Sequence, residues 1–340
     1  MCLVFFFVLL FLLSLFTAYL SWRFIESPFR NAAVINRLQV VQLSILSIFV
    51  FLLLGGVLIF QVGFNTRATF HEQYEVGDYK VDNHALINES WSLLEGISNS
   101  SRYRVDDNSF DQQLWFNQED SRTRVLVVGN SHSKDVYNVL SYSEQAKREL
   151  QLARYGTQVS NINNVFFNSP NYLNAQVIIV ASLNSDDDIG HFERVIKRII
   201  SDKKTLVFMT SPFIKMERKN ITFLDALALK HIKRGEAVVD ISKKINRKYT
   251  DDFYAGHYVH EKWKIYAENE KKQLVLLNEQ YHFQTLDRMN YVCGDDFCEL
   301  VSQNLGKYFY DKGHHTLRGA KYFARKVDEL NWVYDYIRVR

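Results

Sequence analysis

The chain has 340 residues, 47% hydrophobic, 23% charged and 14% aromatic, with 41 basic and 38 acidic side chains and a net charge of +3. All but four of those charges lie beyond residue 62; residues 1–62 carry only Arg23, Glu26, Arg30 and Arg37. That split excludes a wholly soluble chain, the near-neutral polar part argues against a nucleic-acid partner, and abundant aromatics with only three prolines exclude disorder.

Two uncharged stretches, 1–22 and 39–62, are each long enough to cross about 30 Å of hydrocarbon as a helix rising about 1.5 Å per residue. The three arginines between them, against one glutamate, place the connecting loop in the cytoplasm. Both termini and everything after Gly63 are then expected on the outer side of a cell (inner) membrane, periplasmic or extracellular. Residues 1–62 read as a membrane segment of two transmembrane helices. Residues 63–123 are polar and weakly periodic, and read as a stalk or linker region.

From Arg124 to the end, residues 124–340, strands and helices alternate. VLVV at 125–128, LQLARY at 150–155, VIIVA at 177–181 and TLVFMT at 205–210 are apolar runs of strand length, as expected of strands buried on both faces. Helical stretches follow at 132–150 and 187–200, then at 223–233 and 260–278. A last strand is expected at 282–289 and a closing helix at 317–330. Strands alternating with helices predict an α/β domain with a parallel sheet between helical layers, its site at the carboxyl ends of the strands.

Gly129-Asn130-Ser131-His132 follows the first strand and opens a helix. Ser131 therefore sits where unpaired amides and the helix dipole favour negative charge; helix capping is the plainer role of such a pair. Near the far end, Asp311-Lys312-Gly313-His314 can supply a base and the acid that orients it, the two partners a nucleophilic serine needs. Gly156 ends the second strand and Asn184 follows the third, so a backbone N–H and a side-chain amide could serve an oxyanion there. Cys293 and Cys298, five residues apart in an exported domain, read as a disulfide. Zinc is the competing reading, with His314 and His315 as the nearest further ligands. His257 and His260 read as a solvated helix face, His132 and His315 as rings facing away from the site.

The ordered set Ser131, Gly156, Asn184, Asp311-x-x-His314 resembles the SGNH (GDSL-like) hydrolase superfamily, with Asn130 where aspartate is commoner and Ser182 where glycine is usual. Ser21-Trp22-Arg23-Phe24-Ile25-Glu26-Ser27-Pro28-Phe29-Arg30 resembles the end of the acyltransferase-3 membrane domain, which often leads through one more helix into an extracytoplasmic SGNH domain. The paired cysteines also look like those of such fusions.

The resemblance implies an SGNH-like three-layer sandwich after two transmembrane helices. It implies a catalytic Ser131, His314 and Asp311, with an oxyanion hole of Ser131, Gly156 and Asn184. It further implies an O-acyltransferase, of acetyl above all, acting on a cell-surface glycan such as lipopolysaccharide O-antigen through a serine acyl-enzyme. A carbohydrate esterase and a non-catalytic membrane-anchored module are the alternatives. No cofactor or metal is expected to be bound. The acyl group, acetyl from acetyl-CoA, would arrive through a membrane acyltransferase domain whose other helices lie on another chain or upstream.

Overall fold

The apolar runs at 125–128, 150–155, 177–181 and 205–210 become adjacent strands because each can hide both faces only inside a sheet covered on both sides. The computed structural model describes residues 37–60, 76–98, 113–210, 222–256, 261–294, 297–311 and 313–337, with parts of 11–27. It forms two compact units, Met1–Glu72 and Gln73–Arg340. In the first, helix α1 (Arg37–Phe60) coincides with the second apolar stretch, and Ile45, Phe49, Phe51 and Leu52 on it are exposed. Its described side chains run unbroken only over 44–53, and among the described residues no helix is long and apolar enough to cross a membrane. Most of the first apolar stretch and of the 21–30 signature, and the pair His257 and His260, lie outside the described residues.

The second unit begins with helix α2 (Asn83–Ser98), followed by β1 (Thr123–Gly129), α3 (Ser131–Tyr142), β2 (Leu150–Gly156), β3 (Val177–Ala181), α4 (Phe192–Ser201) and β4 (Thr205–Thr210). Helices α5 (Phe223–Ile232), α6 (Val238–Tyr254) and α7 (Glu261–Tyr281), strand β5 (Gln284–Asp287) and helix α8 (Leu317–Glu329) complete it. The five strands are parallel, in the order β2-β1-β3-β4-β5. Alternate residues of β1 feed two separate cores. Val125 and Val127 join Val136 and Leu140 of α3, Ile241 of α6 and Phe323 of α8; Leu126 and Val128 join Ile196 of α4 and Leu274 of α7. Three layers result, helix–sheet–helix. Each fully buried aliphatic side chain in them contributes roughly 1.5–3 kcal/mol.

The described residues of 63–123 pack onto the second unit. Tyr79, Leu86, Leu94 and Phe116 are buried, and Tyr79 hydroxyl donates to Asp225 Oδ1 at 2.6 Å, an oxygen that Lys307 Nζ also reaches at 2.8 Å. The last strand is shorter than expected. His282 sits at φ +54°, closing α7 in the left-handed region, and Asp287 Oδ1 accepts the Met289 N–H at 2.8 Å, so only Gln284–Asp287 pair with β4.

The chain runs from β1 outward to β2, then returns across to β3. The reversal leaves a crevice at the carboxyl ends of β1 and β3, the topological switch point where open α/β sheets place their sites. Gly129 makes that crevice possible. Its φ is +150°, and a Cβ there would lie 2.1 Å from the Ala181 carbonyl oxygen. Gly129→Ala is expected to cost roughly 3 kcal/mol in urea unfolding from steric overlap and strain; an unchanged midpoint would contradict this placement of β1 against β3.

Candidate active site

Asn130 builds the turn from β1 into α3. Its Oδ1 accepts the His132 N–H at 3.2 Å as the helix N-cap and lies 3.3 Å from the Leu183 nitrogen, while its Nδ2 donates to the Leu183 carbonyl at 2.9 Å. Its own N–H donates to Ser182 Oγ at 3.0 Å. A carboxylate could not donate to that carbonyl, which accounts for asparagine at 130, and the Ser182 hydroxyl accounts for serine at 182. The turn is therefore stitched to the exit of β3, with Ser131 in the first turn of α3.

Ser131 Oγ lies 3.0 Å from His314 Nε2, although the two are 183 positions apart in the chain. His314 Nδ1 in turn lies 2.8 Å from Asp135 Oδ2. With Nδ1 protonated toward the carboxylate, Nε2 is left to accept the serine proton. The imidazole stacks against two rings, His132 at 3.9 Å and 18° and Tyr310 at 5.5 Å and 19°. Ser131 and His314 keep some exposure while His132, Lys134 and Asp135 are buried, so solvent and substrate meet the array at its serine end.

The acid partner expected at Asp311 is Asp135 in the structure. Asp311 Oδ1 instead accepts the backbone N–H groups of Gly313 and His314, at 3.0 and 2.8 Å. That aspartate shapes the loop that presents His314, a turn in which a carboxylate bonds to backbone two or three residues on. Asp135 stands four residues after Ser131 in α3, one turn along the same helix face. That spacing makes Asp135 a candidate in the sequence, but choosing it over Asp311 needs the lie of the His314 loop across α3.

Burial alone would raise the Asp135 carboxyl, but Lys134 and His314 outweigh it and hold the group well below the usual carboxylate range. Lys134 Nζ lies 2.8 Å from Asp135 Oδ1, and Arg288 Nη2 lies 3.7 Å from Oδ2. His132 does not face away: besides stacking on His314, its Nδ1 lies 3.2 Å from Arg288 Nη1. His315 is sealed beneath, with Nε2 2.8 Å from the Tyr291 hydroxyl. Burial above all pushes both rings well below the ordinary histidine value, helped by Arg288 and opposed by the Asp135 charge, so both are neutral in the folded state.

The expected oxyanion groups divide. Ser131 is at the start of α3 and Gly156 is the register partner of Gly129 at the same sheet edge. The Asn184 side chain is buried, and its amide donates to the Glu270 carboxylate of α7, so it is already engaged with another element. Cys293 and Cys298 are joined in a disulfide and are not thiolate ligands. Cys293 caps the short helix Met289–Val292, from which Tyr291 reaches His315. His132, Asp135 and His314 place ligand atoms within 4.8 Å of one another. Two buried cations, Lys134 and Arg288, already neutralise the one carboxylate among them, and a divalent ion would have to compete with both charges.

No family model matches the chain, and no curated protein matches it. Among solved structures it is similar to the periplasmic domain of a lipopolysaccharide acetyltransferase from Salmonella ser. Paratyphi A, at 12% identity and a TM-score of 0.49 over 74% of this chain and 97% of that one. It is also similar to a GDSL-like lipase from Bacteroides thetaiotaomicron, at 10% identity and a TM-score of 0.34 over 67% and 96%. An acetyl xylan esterase is similar at 11% identity and a TM-score of 0.31 over 61% and 98%. These are distant likenesses, and the chemistry is read from the site.

Two outcomes follow from this geometry. Labelling of Ser131 by a serine-directed fluorophosphonate is expected to fall by about 10⁴-fold in Asp135→Asn, as when a triad base loses its tautomer. In Asp311→Asn, which removes a loop contact only, it should fall far less; the reverse ranking would return the acid role to Asp311. The second concerns stability. His132 and His315 are neutral when folded but protonate below about pH 6.5 when unfolded. Stability is therefore complete above that pH and is lost as the pH falls below it, by up to about 1.4 kcal/mol per pH unit for each ring. Urea midpoints measured at pH 7.5, 6.5 and 5.5 (arbitrary points, about one unit apart) check this; equal midpoints would show the two rings to be solvated.

Proposed function

We propose that the protein is an O-acyltransferase that moves an acyl group, acetyl first among them, onto a hydroxyl of a cell-surface glycan through an acyl-enzyme on Ser131. The observation that carries this reading is the Ser131–His314–Asp135 array at the switch point of the sheet, open at its serine end. In the first half, Ser131 Oγ attacks the acyl carbonyl carbon while His314 Nε2 takes the hydroxyl proton. The imidazolium is stabilised by Asp135. The tetrahedral oxyanion lies against the N–H groups at the start of α3, and collapses as the leaving group departs with the proton from His314.

In the second half a sugar hydroxyl enters the vacated position. His314 takes its proton, the sugar oxygen bonds to the acyl carbon, and the Ser131 oxygen leaves and recovers a proton from His314. The product is a sugar ester and free enzyme. Water in place of the sugar would give an esterase by the same steps, and the partial exposure of Ser131 admits it.

The apolar segment supports membrane attachment. Residues 1–62 hold four charges in all, and α1 exposes large apolar side chains along its described length. Within the proposal, this segment anchors the domain of 124–340 to the outer face of the cell (inner) membrane. A membrane acyltransferase part, upstream or on a partner chain, delivers the acyl group from acetyl-CoA. The sequence likeness of residues 21–30 to the end of an acyltransferase-3 domain supports that arrangement.

The test uses the full chain in detergent with p-nitrophenyl acetate, with and without an O-antigen oligosaccharide. The expected result is acetylated sugar formed faster than acetate is released, with both lost in Ser131→Ala. Hydrolysis alone would assign the esterase reading, and equal activity in Ser131→Ala would overturn the serine mechanism.

A further inference from the structure

Asp135 has two carboxylate oxygens, and the array with His314 uses one. The other, Oδ1, lies 2.8 Å from Lys134 Nζ, and both side chains are 0% exposed. Lys134 is also tied to its surroundings on every side. Nζ donates to Ser90 Oγ of α2 at 2.9 Å and to the Tyr310 hydroxyl at 3.2 Å. It stands 5.3 Å from the centre of the Trp91 ring and 5.1 Å from that of Tyr310. The ammonium thus makes two hydrogen bonds and one ion pair between two aromatic faces. The Ser90 carbonyl is itself held, at 2.7 Å, by Asn138 Nδ2 one turn further along α3.

A lysine is seldom sealed completely, because losing its hydration is costly unless a partner compensates. The partner here is the carboxylate that orients the catalytic base. We propose that Lys134 is a positioning residue of this site, locked by α2 through Ser90, which fixes the orientation and charge of Asp135 and so sets the pH range in which His314 acts as a base. The inference rests on the reading of Ser131 as the nucleophile and adds a residue and a helix to it. It also gives α2, a helix outside the three layers, a task in the chemistry.

The other charged and titratable groups facing the pair remain in every variant below. From α3 comes His132, with Nδ1 3.7 Å from Asp135 Oδ2. From the segment after β5 come Arg288, 3.7 Å from the same oxygen, and Tyr291. From the loop before α8 come Tyr310, Asp311, His314 and His315, and from β2 comes Arg154, whose guanidinium is 5.5 Å from the Trp91 ring. Lys134 is closer to the carboxylate than Arg288 by the difference between a direct ion pair and a second-layer charge. Burial lowers its own tendency to hold a proton and Asp135 works against that.

The sign of the effect is set by charge. His314 must be neutral to take the serine proton, so the rate is lost as the pH falls through its protonation. Lys134 repels a second positive charge nearby. Removing it leaves Asp135 less compensated and makes protonation of His314 easier, which moves the acid limb to higher pH.

The experiment measures the rate of fluorophosphonate labelling at Ser131 against pH for the full chain in detergent, in wild type, Lys134→Met, Lys134→Arg and Ser90→Ala. Lys134→Met is expected to move the acid limb up by about one pH unit and to slow labelling more at low pH than at high. Lys134→Arg, which keeps the charge, should restore most of the limb position. If Lys134→Met does not fold, Ser90→Ala carries the test, with labelling about threefold slower and the limb displaced in the same direction, as expected for one lost hydrogen bond. A uniform loss of rate at every pH with the limb unmoved would reduce Lys134 to a packing role, and unchanged behaviour of Ser90→Ala would remove α2 from the account. Wild type that does not label at all would overturn the nucleophile reading, and this inference with it.

Discussion

A carboxylate sealed from water must be neutralised by what surrounds it, and Asp135 is sealed completely. Leaving a buried charge without its partner costs roughly 3–5 kcal/mol, so the fold has to bring donors and cations to this one side chain from several directions. They come from α3 itself, from the loop that carries His314 and, a layer further out, from Arg288 after β5. Each of these contacts has a second use. The Lys134 contact reaches on to α2, the His314 contact reaches Ser131, and Arg288 reaches His132 and His315. The electrostatic demand of one buried group therefore ties together helices and loops that the sheet alone would leave independent.

The sheet supplies the complementary constraint. Its order puts the carboxyl ends of β1 and β3 side by side, and Gly129 lets them approach to a distance no side chain would allow. Asn130 then spends its whole amide on joining the start of α3 to the exit of β3. Ser131 stands on a turn held from both sides, where a serine oxygen can be placed with little freedom. Preorganisation of this kind matters because a shift of about 1 Å at a reacting atom can cost about 100-fold in rate.

The strands were legible because burial on both faces leaves a continuous apolar run, and 125–128, 177–181 and 205–210 all show one. Ser131 and His314 were legible because their neighbours mark a strand end and a loop before a helix. The assignment of the acid was not. Which carboxylate meets Nδ1 depends on how the His314 loop lies across α3, a tertiary relation that spacing along the chain does not encode. Asp311 is close to His314 in sequence, and that closeness commits it to the loop backbone instead. Helix α2 was missed for a related reason. Its buried face sets Ser90 between Leu86 and Leu94, and Ser90 and Trp91 meet a lysine, so a polar group interrupts the apolar stripe that announces a packed helix. His282, in the left-handed region, cut short a strand that the residue types alone would have extended.

The account turns on Asp135 rather than Asp311 meeting His314 Nδ1, and the proton between them can be observed directly. In ¹⁵N-histidine-labelled protein, assigned by its loss in His314→Gln, that proton is expected well downfield, as for any proton in a short bond to a carboxylate. It should persist in Asp311→Asn and move upfield or vanish in Asp135→Asn. A resonance that survives in Asp135→Asn and is lost in Asp311→Asn would contradict the account at its centre.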